Sequence, residues 1–315
     1  MFDIVLYLAI LAFSLAVLAI ASQFTIKSIE QLIELTRLSE ASVGFAIMSV
    51  MTGLPEIFVA AAALFQGKPG FSVGDILGSN VFNIGIVAGV LAAMGFLKKC
   101  SSELLTELVD ILFLSSIIPL VLVVFGKAYL FVGLALLGIF IFSIREMTKK
   151  RKKPILLEDD GANAQKISAK VVLLKVFAGM AIVITMAELL IISASNISEI
   201  LGVAPILIGA KIIAIGTSMP ELALDLAAVR RGRVHLALGD LIGSNLTNIT
   251  LVLGIVLLAT SPFEPTDLSV FAEIVPFVLI TTLILWRYLT KGGVSQIGGI
   301  TLILTYVIFQ AVITA

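Results

Sequence analysis

Apolar runs long enough to cross a lipid bilayer recur along the whole of this 315-residue chain. A membrane-spanning helix needs about 20 mainly apolar residues, and polar or Gly/Pro positions divide the sequence into ten such runs. In lipid the backbone must satisfy its own hydrogen bonds, so runs of this length fold as helices. Only 13% of the residues are charged, against roughly a quarter in soluble domains. We therefore predict an all-α polytopic membrane protein.

The ten predicted spans leave one true linker, residues 148–167, which is too short for a folded domain. The first span is expected to run past the bilayer, because residues 27–38 keep helical apolar spacing, and the sixth is open to the same extension. Balanced charge indicates no nucleic-acid partner, and the single cysteine excludes an internal disulfide framework. The spans lie near 3–25, 40–65, 71–97, 104–125, 128–147, 170–195, 203–229, 234–259, 268–289 and 294–314.

Basic residues orient the chain in the membrane, because cytoplasmic loops carry an excess of lysine and arginine. With both termini outside, the linker and most basic residues fall in the cytoplasm, and Lys68 and Lys127 fall in external loops. We therefore predict a multi-pass plasma-membrane protein with external termini. The cytoplasmic set is Lys27, Arg37, Lys98, Lys99, residues 149–153, Arg230, Arg231, Arg233, Arg287 and Lys291.

An internal repeat divides the chain into two halves. MTGLPEIFVA (51–60) resembles GTSMPELALD (216–225), and GDILGSNVFNIGIVAG (74–89) resembles GDLIGSNLTNITLVLG (239–254). All matched positions are 165 residues apart. Five spans in each half would insert the second half upside down, which is the inverted-repeat plan of secondary transporters. The predicted units are residues 1–147, the cytoplasmic linker 148–167, and residues 168–315.

Both halves place oxygen-bearing side chains on one face of each of two helices. Residues four apart share a helical face, as do Thr52 and Glu56, and Asp75, Ser79 and Asn83. The second half repeats the pattern with Thr217 and Glu221, and with Asp240, Ser244 and Asn248. Carboxylate, hydroxyl and amide oxygens suit Ca²⁺ or Na⁺.

Two prolines lie inside these motifs. Pro55 and Pro220 cannot donate a backbone N–H, and each displaces the carbonyl four residues earlier. The carbonyls near Met51 and Gly216 should therefore be free, and in lipid they need protein, water or an ion as a partner.

These paired stretches resemble the α-repeats of the cation/Ca²⁺ exchanger superfamily, most closely its Na⁺/Ca²⁺ exchanger branch. The resemblance implies antiport by alternating access with the first and sixth spans as the moving gate. It also implies no enzymatic activity, no cofactor and no protein partner, with Ca²⁺ and Na⁺ as the transported substrates. It makes Glu56 and Glu221 the principal Ca²⁺ carboxylates. The other implied ligands are Thr52, Thr217, Ser79, Asn83, Ser218, Ser244 and Asn248, with backbone carbonyls of Ser49 and Ala214.

The chain departs from the family pattern at several site positions. Gly53 replaces a serine, Asn248 replaces an aspartate found in many members, and Asp75 and Asp240 replace asparagines. Lys211 stands inside a span where a small polar or apolar residue is usual. We hypothesise that Lys211 neutralises Asp240, Asp225 or another carboxylate within the membrane, or acts as a tethered cation in place of one Na⁺.

Other interpretations of these residues stay open at this point. Glu56 and Glu221 could each belong to a buried ion pair or to a protonated hydrogen bond between helices. Asp75 and Asp240 could be structural or could line a vestibule. Asp225 is better placed for a contact near the cytoplasmic exit than for ligation. The nearest rival function is a Ca²⁺/H⁺ antiporter that uses the same glutamates. A cation channel is the rival from another class.

Overall fold

The computed structural model describes residues 2–36, 53–98, 100, 103–127, 130–150, 169–261 and 268–313. Throughout these ranges the regular structure is helical, with no strand. The predicted all-α class is therefore confirmed. The helices are α1 (Phe2–Thr36), α2 (Leu54–Phe65), α3 (Pro69–Ala93), α4 (Glu103–Ile117), α5 (Leu120–Phe125), α6 (Leu130–Lys150), α7 (Ala169–Leu201), α8 (Pro205–Arg230), α9 (Val234–Ala259), α10 (Leu268–Leu289) and α11 (Gln296–Val312).

Six helices in the described ranges are long and apolar enough to cross a membrane, and three shorter helices are also apolar. The six comprise α3, α8 and α9 together with stretches of α1, α7 and α10. The chain is therefore an integral membrane protein by the length and composition of its helices. The number of ten spans stays a prediction.

Helices α1 and α7 are the longest, with 35 and 33 residues. Both extend beyond the predicted spans, which confirms the expected extension. They pack chiefly against each other. Many of their apolar side chains are exposed, among them Phe13, Ile20 and Phe177. These two helices therefore form a lipid-facing pair beside the rest of the bundle.

Helices α3 and α9 form the centre of the bundle, because 83% of the apolar stretch of each is buried, against 22% in α1. Backbone contact between α3 and α8 is unusually close. A Cβ added to Gly74 would lie 2.1 Å from the carbonyl oxygen of Ile206, and one on Gly78 would lie 2.3 Å from that of Ala210. The two motifs can meet only because these positions lack a side chain.

Three π-helical segments interrupt the helices that carry the motifs, at Asn83–Ala88 in α3, Gly209–Ile213 in α8 and Asn248–Val252 in α9. Asn83 and Asn248 therefore begin π segments at equivalent positions of the two repeats. Such bulges commonly occur at functional sites. They change the direction of the side chains that follow.

The span predicted near 104–125 is interrupted in the structure. The structure has two helices, α4 and α5, separated by a turn at Ile118 and Pro119. Proline lacks the N–H that would continue the helical ladder, and its ring clashes with the preceding turn.

Two polar contacts join α7 to the turn between α2 and α3. The side-chain amide of Gln66 donates to Oε2 of Glu188 at 2.7 Å, and Lys68 lies 3.2 Å from Oε1 of Glu199. Glu199 is largely exposed, so the second contact contributes little stability. The hydrogen bond between Gln66 and Glu188 is therefore the stronger of these two contacts between the α1–α7 pair and the bundle.

Candidate functional site

Two glutamates lie at matching positions of two helical segments. Glu56 is in the first turn of α2, and Glu221 is in the first turn of the segment Met219–Arg230 that follows a break in α8 at Ser218. Pro55 and Pro220 occupy the same first turns, where the missing N–H costs nothing. The positive end of each segment's dipole favours a carboxylate there. The motif prolines thus begin new helical segments that hold the two acids.

Residues from both repeats meet around Asp75. The hydroxyl of Thr217 donates to Oδ1 of Asp75 at 2.9 Å, and Ser79 contacts the same oxygen at 3.4 Å. The Ser79 and Thr217 hydroxyl oxygens are 3.3 Å apart. Asp75 and Ser79 belong to the first repeat and Thr217 to the second, so the site lies between the repeats.

The carboxyl group of Glu56 faces the same cluster. The hydroxyl of Ser218 contacts its Oε1 at 3.4 Å, and the hydroxyls of Thr217 and Ser79 also face it. At the position equivalent to Ser218 the first repeat has Gly53, which has no hydroxyl. Both carboxylate oxygens of Glu221 lack a hydrogen-bond partner among the described residues. The two halves of the site are therefore chemically unequal.

Several other buried oxygen atoms share this lack of a partner in the described ranges. Buried polar atoms are normally hydrogen-bonded, so these exceptions on the motif helices indicate that something else satisfies them. They include Oε2 of Glu56, Oδ2 of Asp75, Oδ2 of Asp225, and both the oxygen and the nitrogen of the Asn83 and Asn248 side-chain amides.

Five buried carboxylates are linked by a series of pairwise electrostatic interactions. Asp75 interacts with Glu56, and Glu221 interacts with Glu56, Asp240 and Asp225. All five side chains are buried, the most exposed being Asp240 at 4%. Buried charge of one sign is costly unless it is paired or coordinates a cation. The arrangement is therefore suited to binding cations.

The described residues contain no group of three His, Cys, Asp or Glu side chains arranged around one metal position. A cation here would be held by carboxylates together with hydroxyl, amide and carbonyl oxygens. Such a mixed oxygen set suits Ca²⁺ and other hard cations.

Some predicted ligands are engaged within their own helices. The carbonyl of Ala214 accepts from the backbone N–H of Ser218 at 3.2 Å, and the Thr217 hydroxyl oxygen lies 3.3 Å from it. The hydroxyl of Ser244 donates to the carbonyl of Leu241 at 3.2 Å. Thr52 and Ser49 lie outside the described residues, as does Met51.

The side chain of Lys211 forms its hydrogen bond with a backbone carbonyl and not with a carboxylate. Its ammonium donates to the backbone carbonyl of Ile313, just past the end of α11, at 2.5 Å. The structure describes the side chains of Lys211, Asp225 and Asp240, and no salt bridge joins Lys211 to either aspartate. The hypothesis that Lys211 neutralises either acid has no support in this conformation. Sequence spacing could not have identified a backbone acceptor 102 residues away.

Sequence reasoning missed one pair of residues at the centre of the bundle. The side-chain amide of Asn80 donates to the backbone carbonyl of Asn245, 165 residues later, at 3.2 Å. Equivalent positions of the two repeats therefore touch, and both side chains are fully buried. The signal was available, because each asparagine follows the matched serine in both GSN motifs.

The sequence and the fold of this chain are similar to those of known proteins. The sequence profile of the family described as "Sodium/calcium exchanger protein" matches residues 6–147 and 171–315. The chain belongs to this family. Both repeats lie inside the matched ranges, so membership in the sodium/calcium exchanger family covers the whole candidate site.

Relatives in the family match most of the chain. The putative antiporter CaxA of Alkalimonas amylolytica is 32% identical over 69% of this chain and 70% of its own length. The sodium/calcium exchanger MaX1 of Methanosarcina acetivorans is 28% identical, covering 96% of this chain and 97% of its own. A solved structure of the sodium-calcium exchanger NCX_Mj aligns with a TM-score of 0.66 at 26% identity, covering 98% of this chain and 99% of that one.

Proposed function

We propose that this protein exchanges Ca²⁺ for Na⁺ across the membrane by alternating access. The observation that carries the proposal is the buried cluster in which Glu56, Asp75 and Ser79 of one repeat meet Thr217 and Ser218 of the other. Family membership supports it, as do the names of MaX1 and NCX_Mj, both described as sodium/calcium exchangers. The comparisons favour Na⁺ over H⁺ as the coupling ion.

The central ligands would be Glu56 and Glu221, whose two charges balance one Ca²⁺. Thr217, Ser218 and Ser79 would contribute hydroxyl oxygens beside them. The remaining ligands would be Thr52, Asn83, Ser244 and Asn248, with the carbonyls of Ser49 and Ala214. Asp75, Asp240, Asp225 and Lys211 would act in the ion pathway or in charge balance.

Coupling follows from competition for the same oxygens. Ca²⁺ on the two glutamates excludes Na⁺ from the positions that share them, and several Na⁺ ions replace it when they bind together. Because buried carboxylate charge is costly without a cation, the protein would cross between its inward and outward states with one ion or the other bound. Each glutamate needs its charge for this cycle.

The proposed architecture has ten spans in two inverted halves, residues 1–147 and 168–315, joined by the cytoplasmic linker 148–167. Both termini would lie outside the plasma membrane. The contact between Asn80 and Asn245 supports a two-fold relation between the halves. The lipid-facing α1–α7 pair would move against the bundle, since it packs chiefly against itself.

The deciding experiment measures ⁴⁵Ca²⁺ uptake into proteoliposomes that hold the purified protein. An outward Na⁺ gradient is compared with an outward H⁺ gradient. Glu221→Gln keeps the size of the side chain and removes its charge, and Glu199→Gln is the matched control, because Glu199 is 73% exposed. We expect uptake driven by Na⁺, lost in Glu221→Gln and retained in Glu199→Gln. Uptake driven only by H⁺ would overturn the assignment of the coupling ion.

A further inference from the structure

Asp75 is buried at the centre of the bundle and joined to both repeats. Its Oδ1 accepts from Thr217 and Ser79, and its Oδ2 has no hydrogen-bond partner in the described part of the chain. The side chain is 0% exposed. Asn83 lies two turns along the same helix, and its amide group is equally buried and also without a partner there. The cluster thus contains unpartnered oxygen and amide groups on one helical face.

The hydrogen bonds of Asp75 do not need a negative charge. An asparagine at this position could accept from Thr217 through its own Oδ1. A carboxylate therefore adds only charge to an arrangement that an amide could hold. That charge has a desolvation cost unless a cation offsets it.

No basic side chain offsets it in the described surroundings. The facing element α2 contributes the acid Glu56, and α8 contributes the hydroxyls of Thr217 and Ser218. Lys211, which lies in α8, donates to the backbone carbonyl of Ile313. Asp75 and Glu56 therefore form a carboxylate pair with hydroxyl oxygens from both repeats around it.

We propose that Asp75 is a further cation-binding carboxylate of this site, and that its charge raises the preference of the site for divalent over monovalent cations. The inference rests on the proposed function, because it assumes that Ca²⁺ and Na⁺ compete here. The repeat extends the same proposal to Asp240, the equivalent acid 165 residues later.

The physical reason is the dependence of Coulomb energy on the charge of the ion. Removing one negative charge near a bound cation reduces the binding free energy of a divalent ion about twice as much as that of a monovalent ion. Loss of the Asp75 charge should therefore shift selectivity and should not weaken all ions equally. A residue that only positions Thr217 would show no such difference.

The test compares Asp75→Asn with wild type in proteoliposomes. The two measured values are the external Ca²⁺ concentration that half-saturates ⁴⁵Ca²⁺ uptake and the external Na⁺ concentration that half-inhibits it. We expect the half-saturating Ca²⁺ concentration to rise by about 10-fold or more. The affinity for each bound Na⁺ should fall only by roughly the square root of that factor, so the half-inhibitory Na⁺ concentration should change less. Asp110→Asn is the matched control, because Asp110 accepts from Trp286 at 2.6 Å outside the cluster. That variant should keep both wild-type values.

Unchanged Ca²⁺ and Na⁺ values in Asp75→Asn would overturn the inference and leave Asp75 as a hydrogen-bond acceptor only. If the variant does not fold, Asp240→Asn is measured in the same way, and unchanged values there would count equally against it. Wild-type uptake that ignores Na⁺ would refute the proposed antiport separately. In that case the Ca²⁺ concentration that half-saturates uptake by Asp75→Asn would still show whether the charge of Asp75 contributes to Ca²⁺ binding.

Discussion

Glu56 and Glu221 have side chains that are 0% and 1% exposed, in a helical bundle that faces lipid. An unpaired buried charge costs several kcal/mol, and neither glutamate has a salt bridge to a described basic side chain. A bound cation would offset that cost in the folded state alone, since unfolding destroys the site. Binding of this kind stabilises a protein by about 2.7 kcal/mol at a hundred times the Kd.

The first prediction is that Ca²⁺ raises the melting temperature of the purified protein and that a chelator reverses the rise. Glu221→Gln should lose most of this response, because one of the two charges that hold the ion is gone. Differential scanning fluorimetry over a Ca²⁺ series measures the effect, with Mg²⁺ at equal concentration as the control for ionic strength. An equal rise in the variant would place the stabilising ion elsewhere.

The second prediction concerns the hydroxyl that only one half of the site has. Ser218 contacts Glu56 at 3.4 Å, and Gly53 stands at the equivalent position. Hydrogen bonds to charged groups are worth about 1.5–3 kcal/mol, and this one is long. Ser218→Ala should therefore raise the half-inhibitory Na⁺ concentration by roughly 3- to 10-fold. Ser261→Ala, just past the end of α9, is the control variant for the loss of a serine hydroxyl elsewhere in the chain.

At the scale of elements, close contact between α3 and α8 determines whether the two motifs meet. Gly78 lies against the backbone of Ala210, and Gly209 lies against that of Phe71. Neither partner is a flexible side chain that could move aside. Any added methyl group must therefore push the helices apart and move Asp75 away from Thr217.

The third prediction is that Gly78→Ala lowers both stability and transport. Overpacking a core costs typically about 1–3 kcal/mol, and here the clash is with backbone. Gly138→Ala in α6 is the matched control, because an added Cβ there meets nothing within 4 Å. The measurement is the temperature at which each purified variant loses its monodisperse peak in size-exclusion chromatography. Equal temperatures would show that the helices are not held at this contact.

At the scale of the whole molecule, orientation in the membrane decides which surface meets which ion gradient. The proposed external termini place the end of α7 outside and the turn after α8 in the cytoplasm. Glu199 and Arg231 are exposed residues at these two places. Burial raises the pKa of the Cys100 thiol, so we expect this native thiol to react slowly.

The fourth prediction uses a cysteine-free chain made by Cys100→Ser. A single Glu199→Cys should react with a membrane-impermeant maleimide on intact cells, whereas Arg231→Cys should react only after permeabilisation. The excess of arginine near Arg231 is the physical reason, since cytoplasmic loops retain basic residues. The reverse labelling pattern would invert the topology and leave the site itself unaffected.

The sequence by itself determined the helical class, the membrane location and the two motifs. Apolar length decides whether a segment can cross lipid, and the 3.6-residue period decides which side chains share a face, as Asp75, Ser79 and Asn83 do. The repeat offset then identified the candidate residues in each half. These are local properties, so a single chain reveals them without any knowledge of neighbouring helices.

Only the tertiary structure decided which of these faces meet. Asp75 bonds to Thr217 of the other repeat, and Lys211 bonds to Ile313 and to neither aspartate that its charge suggested. The same holds for the contact of Asn80 with Asn245. Helical periodicity defines a face only relative to its own axis. The rotation and spacing between helices depend on packing, here on glycines that allow backbones to touch and on π segments that turn the side chains.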